Sequence, residues 1–358
     1  MKKYRYNTAA FFAITLLTIS STIFAAEATK EYHKEFTAGQ NTTLDINSKF
    51  GNVVIESWNE NRIVIDVKIT VNAPNNSTAE QTLSNIDVVF SERGDIIKAV
   101  TELNSRYFRN NIRGVSYSVN YTIKMPVYTA LNLVNHHGNT TINELSGLVN
   151  LDVGFGNLEA GKLTRGNEKP WNNISLKHGK GYIDEAGWLT LKIDFAGMFE
   201  INKCTAVLLN SQHSKINFEE VSSVVGENSF GSITIGNINN LDLENKHSNI
   251  NIETLANSLT FKTDFGGLTV DYITNGFEFI DIKSNHANIR LGIDDNASYE
   301  LNGSARYGGI KYNENNFNIR QRIQQNNSLT IAGTMGNEAS PKSTVKIDAS
   351  HSTVTLIK

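Results

Sequence analysis

The sequence predicts an all-β fold: a single-stranded parallel β-solenoid, or β-helix, behind an antiparallel N-terminal cap that contains one short helix. Three observations lead to this prediction. A short phrase recurs from residue 137 onward, its copies are evenly spaced (for example at positions 195, 213, 230 and 247), and the chain includes only four prolines. Self-similarity at a fixed period is typical of repeat architectures. Scarce proline suits continuous sheet, because proline cannot donate a ladder hydrogen bond.

Residues 1–25 have the pattern of a signal peptide. Three basic residues within positions 2–5 precede a mostly apolar run over residues 9–19, which is too short to span a bilayer. Small residues follow, and Ile23 and Ala25 suit cleavage after Ala25. An uncleaved anchor is the alternative. We expect an exported protein, periplasmic or on the cell surface, whose mature chain has no transmembrane segment.

Residues 26–135 are expected to form a strand-rich cap together with the first coil of the solenoid. Residues 63–71 and 117–123 place β-branched or aromatic residues at every second position, which is typical of strands. The phrase beginning at Phe50 already matches the aromatic form of the later repeat. A long excursion after it would then cap the end of the stack, where an open coil would leave unpaired strand edges.

A short helix is predicted within this cap. Ser77, followed by Glu80 three residues later, resembles a capping box. Leu83 and Ile86 would lie on the inner face of the helix.

Residues 136–358 are predicted to form the solenoid repeats. Each copy of the phrase begins with a ring residue, continues with Gly, Ala or Ser, and leads into an apolar run of β-prone residues. The gaps are too short for helical crossovers, so parallel strands would stack by coiling. The ring residue alternates between histidine and an aromatic residue, in the order His137, Phe155, His178, Phe195, His213, Phe230, His247, Phe265, His286, Tyr307 and His351.

The alternation bears on the size of one coil. A coil of about 18 residues would stack histidine on phenylalanine in one column, whereas a coil of about 35 residues would give separate histidine and aromatic columns. Parallel strands often stack like on like, about 4.8 Å apart. The two forms also differ in the preceding residue, for example Lys246 before a histidine and Asp264 before a phenylalanine. We therefore favour the coil of about 35 residues.

Charge and cysteine content exclude some classes of protein. The net charge is −3 and becomes more negative once the basic leader is removed, so no basic footprint for nucleic acid is expected. The single cysteine, Cys204, cannot form an internal disulfide and lies in an apolar, strand-like run. We expect a buried, unreactive thiol.

The leader, the early Phe50-Gly51-Asn52-Val53 strand with Trp58 after it, and the recurring glycine-rich strands resemble the putative-adhesin family of β-strand-repeat bacterial envelope proteins. That family is itself a domain of unknown function. The resemblance covers nearly the whole mature chain. It implies a β-repeat fold and an envelope location, and it implies no catalytic residues.

Several interpretations of the ring residues remain open. The histidines would pack at bends, respond to pH, or bind metal through His178, His213, His247 and His286. Metal ligation needs nitrogens that converge at about 2.0–2.1 Å, which parallel stacked rings do not provide. We therefore favour the packing role and predict no metal, cofactor-binding or catalytic residue. The aromatic rings are expected to stack in the core, with an outward sugar-stacking surface as the alternative.

The predicted function is that of an exported non-enzymatic adhesin-like or scaffold protein of the cell envelope. Its partner is expected to be an envelope polysaccharide or another envelope protein. The alternative is a polysaccharide-active β-helix enzyme, a lyase or glycosidase, with Asp194 and Asp264 as paired carboxylates. Because the acidic residues are spread singly along the chain, turn roles explain them better. A pH-sensing histidine column is the third hypothesis.

Overall fold

The computed structural model describes residues 26–110 and 113–357, and the predicted signal peptide at residues 1–25 lies outside them. The described chain is mostly β-strand. Its strands join in one large mixed sheet, in which most neighbouring strands are parallel. The all-β class is therefore confirmed.

The part of the described chain before residue 127 combines antiparallel and parallel strands. Its elements are β1 (Ala26–Thr37), β2 (Thr43–Lys49), β3 (Val53–Trp58), β4 (Arg62–Ala73), α1 (Asn76–Leu83), β5 (Ile86–Arg93), β6 (Ile96–Leu103), α2 (Ser105–Asn110) and β7 (Ser116–Pro126). The strands predicted at 63–71 and 117–123 lie within β4 and β7. Strand β4 pairs antiparallel with both β1 and β7, and β5 pairs antiparallel with β6.

The helix α1 begins differently from the prediction. Asn75, and not Ser77, is the N-cap residue, and its side chain accepts a hydrogen bond from the backbone N–H of Thr78 at 2.8 Å. Asparagine is as good an N-cap as serine, so the two-residue shift follows from competing caps. Ala79 and Thr82 are the buried helix residues, while Ile86 already belongs to β5.

The remaining elements carry the repeats. They are β8 (Ala130–His136), β9 (Thr140–Leu145), β10 (Val149–Gly154), β11 (Leu158–Leu163), β12 (Asn172–Lys177), β13 (Lys180–Asp194), β14 (Met198–Gln212), β15 (Lys215–Ser229), β16 (Ser232–Ile273), β17 (Phe279–Ile293), β18 (Tyr299–Arg306), β19 (Gly309–Lys311), a 3-10 helix (Glu314–Asn316), β20 (Phe317–Gln325), β21 (Ser328–Met335), β22 (Ser343–Ser350) and β23 (Thr353–Ile357). Strands β2 and β3 pair in parallel with β8 and β9, so the Phe50 phrase joins the same stack.

From β8 to β17, each repeat pairs in parallel with the repeat that follows it in the sequence. Lys180 pairs with Met198 across β13 and β14, and Phe199 pairs with Ile216 across β14 and β15. The favoured period of about 35 residues is therefore wrong, because the next repeat along the chain is also the next one in the sheet. The like-on-like argument failed since imidazole and phenyl rings are both flat and can share a column.

Rows of apolar side chains fill the interior. Ile183, Ile201, Phe218 and Ile235 face one another in register on successive strands, and all four are fully buried. Burying one side chain of this size contributes about 1.5–3 kcal/mol. Cys204 is also buried, as predicted. Burial raises the pKa of its thiol to about 12, so the thiol stays protonated.

The last two strands enter the sheet instead of extending it. Strand β22 pairs with β17 on one side and with β18 on the other, and β23 lies between β17 and β19 in the same way. Strand β18 then pairs antiparallel with β21, which pairs antiparallel with β20. The repeat that comes last in the sequence is therefore not the last one in space.

Candidate functional site

Twelve rings form one continuous column, called here the ring column. Its order in space follows the chain with one exception, because the inserted strands place His351 between His286 and Tyr307. The stacked rings are those of Phe50, His137, Phe155, His178, Phe195, His213, Phe230, His247, Phe265, His286, His351 and Tyr307.

The rings lie nearly parallel and in contact. Successive centroids are 4.6–5.2 Å apart, and successive planes differ by 2–16°. The spacing is that of parallel strands, so the sheet sets the ring separation. An aromatic contact of this kind contributes about 0.5–1.5 kcal/mol beyond the area that it buries. The ring column therefore stabilises the stack of repeats.

The backbone bends at the ring residue itself. All twelve ring residues have φ between 48° and 63°, the left-handed region that side chains with a Cβ rarely adopt. The small residue that follows has a different role. A Cβ on Gly138 would lie 1.8 Å from the carbonyl oxygen of Gly51, so this position requires close backbone approach.

Serine at the small position provides a second way to close the turn. The Oγ of Ser248 accepts a hydrogen bond from the backbone N–H of Gly231 at 2.9 Å and donates to the carbonyl of Lys246 at 2.9 Å. Ser214 and Ser352 make the same pair of bonds in their own repeats. The serines thus satisfy a backbone donor of the neighbouring repeat, which an alanine would leave without this acceptor.

The ring column lies on the surface and not in the core. Phe155, Phe195, Phe230 and Phe265 are 46–57% exposed and Tyr307 is 63% exposed, so the predicted core stack of aromatics is wrong. The bend at the ring residue interrupts the in–out alternation of the strand and turns the ring outward. Ring faces within the column are covered by neighbouring rings, and ring edges meet solvent. A sugar ring therefore cannot stack on those faces.

The column histidines are exposed and present their ring edges to solvent. Nδ1 of His286 lies 3.0 Å from Asn285, and Nδ1 of His351 lies 3.2 Å from Ser350. No hydrogen-bond partner occurs for the imidazoles of His178, His213 and His247 within residues 26–110 and 113–357. In the same part of the chain, no group of three or more His, Cys, Asp or Glu side chains could hold a metal ion.

The two aspartates of the enzyme hypothesis are far apart in the stack. Asp194 pairs with Gln212, Gln212 with Ser229, and Ser229 with Lys246, so several strands separate Asp194 from Asp264. They cannot act as paired carboxylates on one sugar ring.

A shallow groove runs beside the centre of the ring column. It has a volume of about 570 Å³ and is lined by the rings of Phe195, His213 and Phe230, together with Gly197 and Lys215. This groove was not predicted from the sequence. The sequence feature that could have indicated it is the residue two positions after a ring, which is Gly197 after Phe195 and Lys215 after His213.

A second groove, of about 330 Å³, places a phenol between two carboxylates. Tyr182 pairs in register with Glu159 on one side and Glu200 on the other, and Lys180 also lines the groove. The Tyr182 hydroxyl donates to Asp184 at 3.4 Å. Loss of solvent and then the Asp184 charge raise the pKa of Tyr182, so the phenol stays protonated.

An exposed ion-pair cluster lies on the N-terminal antiparallel strands. Nδ1 of His33 is 2.6 Å from Asp66, and Nε2 is 3.2 Å from Glu35. The hydrogen bond to Asp66, followed by that to Glu35, raises the pKa of His33. This histidine is not part of the ring column.

Comparisons with known proteins find similarity at low sequence identity. No family model and no curated protein matches the sequence. The chain is similar to a structure called a putative adhesin from Parabacteroides distasonis, at 11% identity over 92% of this chain and 97% of that chain, with a TM-score of 0.31. A putative lipid binding protein from the same organism gives 12% identity, 93% and 97% coverage and a TM-score of 0.31.

A putative cell adhesion protein from Clostridium sporogenes is similar at 10% identity, over 92% of this chain and 98% of that chain, with a TM-score of 0.18. TM-scores this low support no conclusion about function, and membership of the putative-adhesin family stays a prediction. Among the described helices, none is long and apolar enough to cross a membrane.

Proposed function

We propose that this chain is an exported, non-enzymatic β-solenoid of the bacterial cell envelope that acts as an adhesin-like or scaffold binding surface. Residues 26–135 would be its cap and first coil, and residues 136–358 its repeats. The observation that carries the proposal is the parallel pairing of successive repeats from β8 to β17, which recurs while one ring column stays in register. Such a stack presents the same side-chain positions many times along one surface.

A repeated surface suits a repeated ligand. Many weak contacts to a polymer add through effective concentration, and avidity exceeds single-site affinity by about 10²–10⁴. An envelope polysaccharide or a repetitive envelope protein has the required periodic form. The signal-peptide pattern supports export.

The test is a binding array of polymeric glycans, the matching monomers and fractionated envelope proteins. We expect at least one polymer or envelope protein to bind, and a polymer to bind at least 100-fold more tightly than its own monomer. Failure of every polymer and every protein fraction would contradict the binding function. Equal affinity for polymer and monomer would contradict the multivalent surface.

The groove at Tyr182 favours a polysaccharide-active enzyme as the second candidate function. Glu159 and Glu200 lie two strands apart, about 9–10 Å between backbones, with Lys180 beside them. Inverting glycosidases hold their carboxyl groups about 6.5–9.5 Å apart. Incubation with envelope polysaccharides tests this candidate. Product release that is lost in both Glu159→Gln and Glu200→Gln would establish the enzyme, and unchanged polysaccharide would rule it out.

A further inference from the structure

The ring column is bordered by basic residues, although the chain as a whole is acidic. We call the column, together with the residue before each ring and the residue two positions after it, the strip. Besides its histidines, the strip contains six basic and two acidic residues, whereas the chain has a net charge of −3. The basic residues are Lys49, Lys177, Lys180, Lys215, Lys246 and Arg306, and the acidic ones are Asp194 and Asp264.

The basic side chains of the strip have no acidic partner. Within residues 26–110 and 113–357, none of the six lies within 4.0 Å of a carboxylate. Lysines elsewhere on the surface differ. Lys98, Lys162 and Lys203 lie 2.8, 3.4 and 3.4 Å from an acidic side chain. The charges of the strip are therefore free to bind an external anion.

The strip also contains histidines, a residue type that can carry positive charge. Imidazoles in general change charge between about pH 5 and pH 8. The ring centroid of Phe195 lies 4.8 Å from that of His213 and 5.2 Å from that of His178. Two imidazolium ions would therefore be held apart by a neutral ring. Each would also lie on an aromatic face, a favourable cation–π arrangement worth about 0.5–1 kcal/mol at an exposed site.

Other charged groups face the strip from the neighbouring strands. Asp194 and Asp264 each precede a ring, and Asp264 is hydrogen-bonded to Asn285 at 3.3 Å. His136 precedes His137 and lies 4.0 Å from Asp152. Glu227 and Glu244 line a groove together with Lys246. These five carboxylates reduce the positive charge locally, while the strip positions from Lys177 to Lys246 carry four lysines and one aspartate.

The geometry favours one class of polyanion. The strip is a single row of rings with a shallow groove beside Gly197 and Lys215. Nucleobases bind single-stranded nucleic-acid sites by stacking on aromatic faces, and those faces are covered within this column. A membrane surface would bind more strongly to protruding apolar side chains than to ring edges. A linear chain with charged groups along one edge matches the row.

We propose that the strip binds a linear anionic polysaccharide, with its lysines and histidine ring edges contacting carboxylate or sulfate groups, and that acid strengthens the binding. The inference rests on the proposed binding function and deepens it by naming the ligand class. Protonated imidazoles would donate charge-assisted hydrogen bonds to the anionic groups.

Dextran sulfate is the probe, because its own charge does not change between pH 5.5 and pH 8.0, and neutral dextran is its control. We expect the purified protein to bind dextran sulfate at least tenfold more tightly at pH 5.5 and to ignore dextran. The variant Lys177→Gln/Lys180→Gln/Lys215→Gln/Lys246→Gln should lose at least tenfold in affinity at both pH values.

Two control variants test whether the effects come from the lysines and the histidines of the strip. Lys98→Gln/Lys162→Gln/Lys203→Gln/Lys346→Gln changes the net charge equally outside the strip and should keep wild-type affinity. His178→Phe/His213→Phe/His247→Phe keeps rings that the same backbone already accepts at Phe195 and Phe230. It should bind normally at pH 8.0 and lose the gain at pH 5.5.

Several outcomes would overturn the proposal. They are equal losses in both lysine variants, a pH effect that survives the histidine variant, and affinity for single-stranded DNA or anionic vesicles as high as for dextran sulfate. Binding of neutral glycans or envelope proteins in the array, with no binding of dextran sulfate, would overturn this inference and leave the proposed function intact.

Discussion

The alternating part of the ring column and its C-terminal end are built from the same phrase but differ in one contact. From Phe50 to Phe265, every histidine lies between two phenylalanine rings. At the C-terminal end, His286 and His351 stack directly on each other, 4.6 Å apart and within 2° of parallel. The sequence alternates here too, and only the insertion of β22 and β23 ahead of Tyr307 breaks the spatial alternation.

This difference shows what the alternation does. A neutral ring between two histidines separates their charges in acid, by a distance comparable to the Debye length of about 8 Å at physiological salt. Two imidazolium ions in direct contact repel each other instead, by about 1 kcal/mol at 4 Å in water and more where solvent is partly excluded. The strand pair that carries His351 should therefore be the acid-sensitive part of the stack.

The largest expected effect comes from the close backbone approach in the alternating part. In Gly156→Ala, the new Cβ would lie 1.9 Å from the carbonyl oxygen of Gly138. Forcing atoms into a packed site costs about 1–3 kcal/mol, and we expect the upper end of that range. The control is Gly309→Ala, two residues after Tyr307, where no atom lies within 4 Å of the new Cβ. The position equivalent to Gly156 is Gly308, whose Cβ would lie 1.9 Å from the carbonyl oxygen of Ser352. Urea denaturation checks both, and equal stability of the two variants would contradict the account.

The next effect should be the same in both regions. Ser248→Ala and Ser352→Ala each remove the acceptor for one backbone N–H of the neighbouring repeat, at 2.9 and 3.0 Å. Leaving a buried donor unsatisfied costs about 1–3 kcal/mol. We expect similar losses of unfolding free energy from the two variants. A loss at only one of the two sites would show that the turn chemistry differs between the regions.

A smaller effect is expected in how the local stability of the two regions of the ring column depends on pH. The opening free energy of β22 and β23 should be lower at pH 5.5 than at pH 8, while that of β14 and β15 stays constant. Hydrogen exchange corrected for intrinsic rates measures each segment by itself. A global melting midpoint is less informative, because His33 acts in the opposite direction. Its raised pKa gives stability that is present at acid pH and is lost as pH rises through that pKa.

The smallest expected effect is the loss of this acid-induced opening of β22 and β23 in a single-residue variant. His351→Phe places a neutral ring between His286 and Tyr307 and should abolish the acid-induced opening of β22 and β23. His213→Phe changes an already alternating site and should leave hydrogen exchange unchanged at both pH values. Persistent acid opening in His351→Phe would rule out the stacked histidine pair as its cause.

Much of this fold could be predicted from the sequence, since the repeat is local information. The strands at 63–71 and 117–123, the buried Cys204 and the membership of Phe50 in the repeat all follow from spacing and alternation. The exposure of Phe155 could not be read in this way, because a left-handed residue interrupts the in–out alternation on which such readings depend.

Two other features depend on long-range information. The insertion of β22 between β17 and β18 joins segments that are not neighbours in the sequence, and no local pattern encodes that order. The net charge of the chain does not reveal the strip, because acidic residues on other faces offset the charges of Lys180 and Lys215. Only the repeat register brings them to one side.

The central claim is that histidine and phenylalanine share one column, because each repeat from β8 to β17 lies directly against the next one in the chain. Disulfide trapping tests it in a Cys204→Ala background, since a disulfide requires Cα atoms about 4.4–6.8 Å apart. We predict that His213→Cys/Phe230→Cys forms a disulfide readily and that His213→Cys/His247→Cys does not, because the second pair spans steps of 5.0 and 4.9 Å. Cross-linking of the second pair without the first would establish separate histidine and aromatic columns and contradict the account.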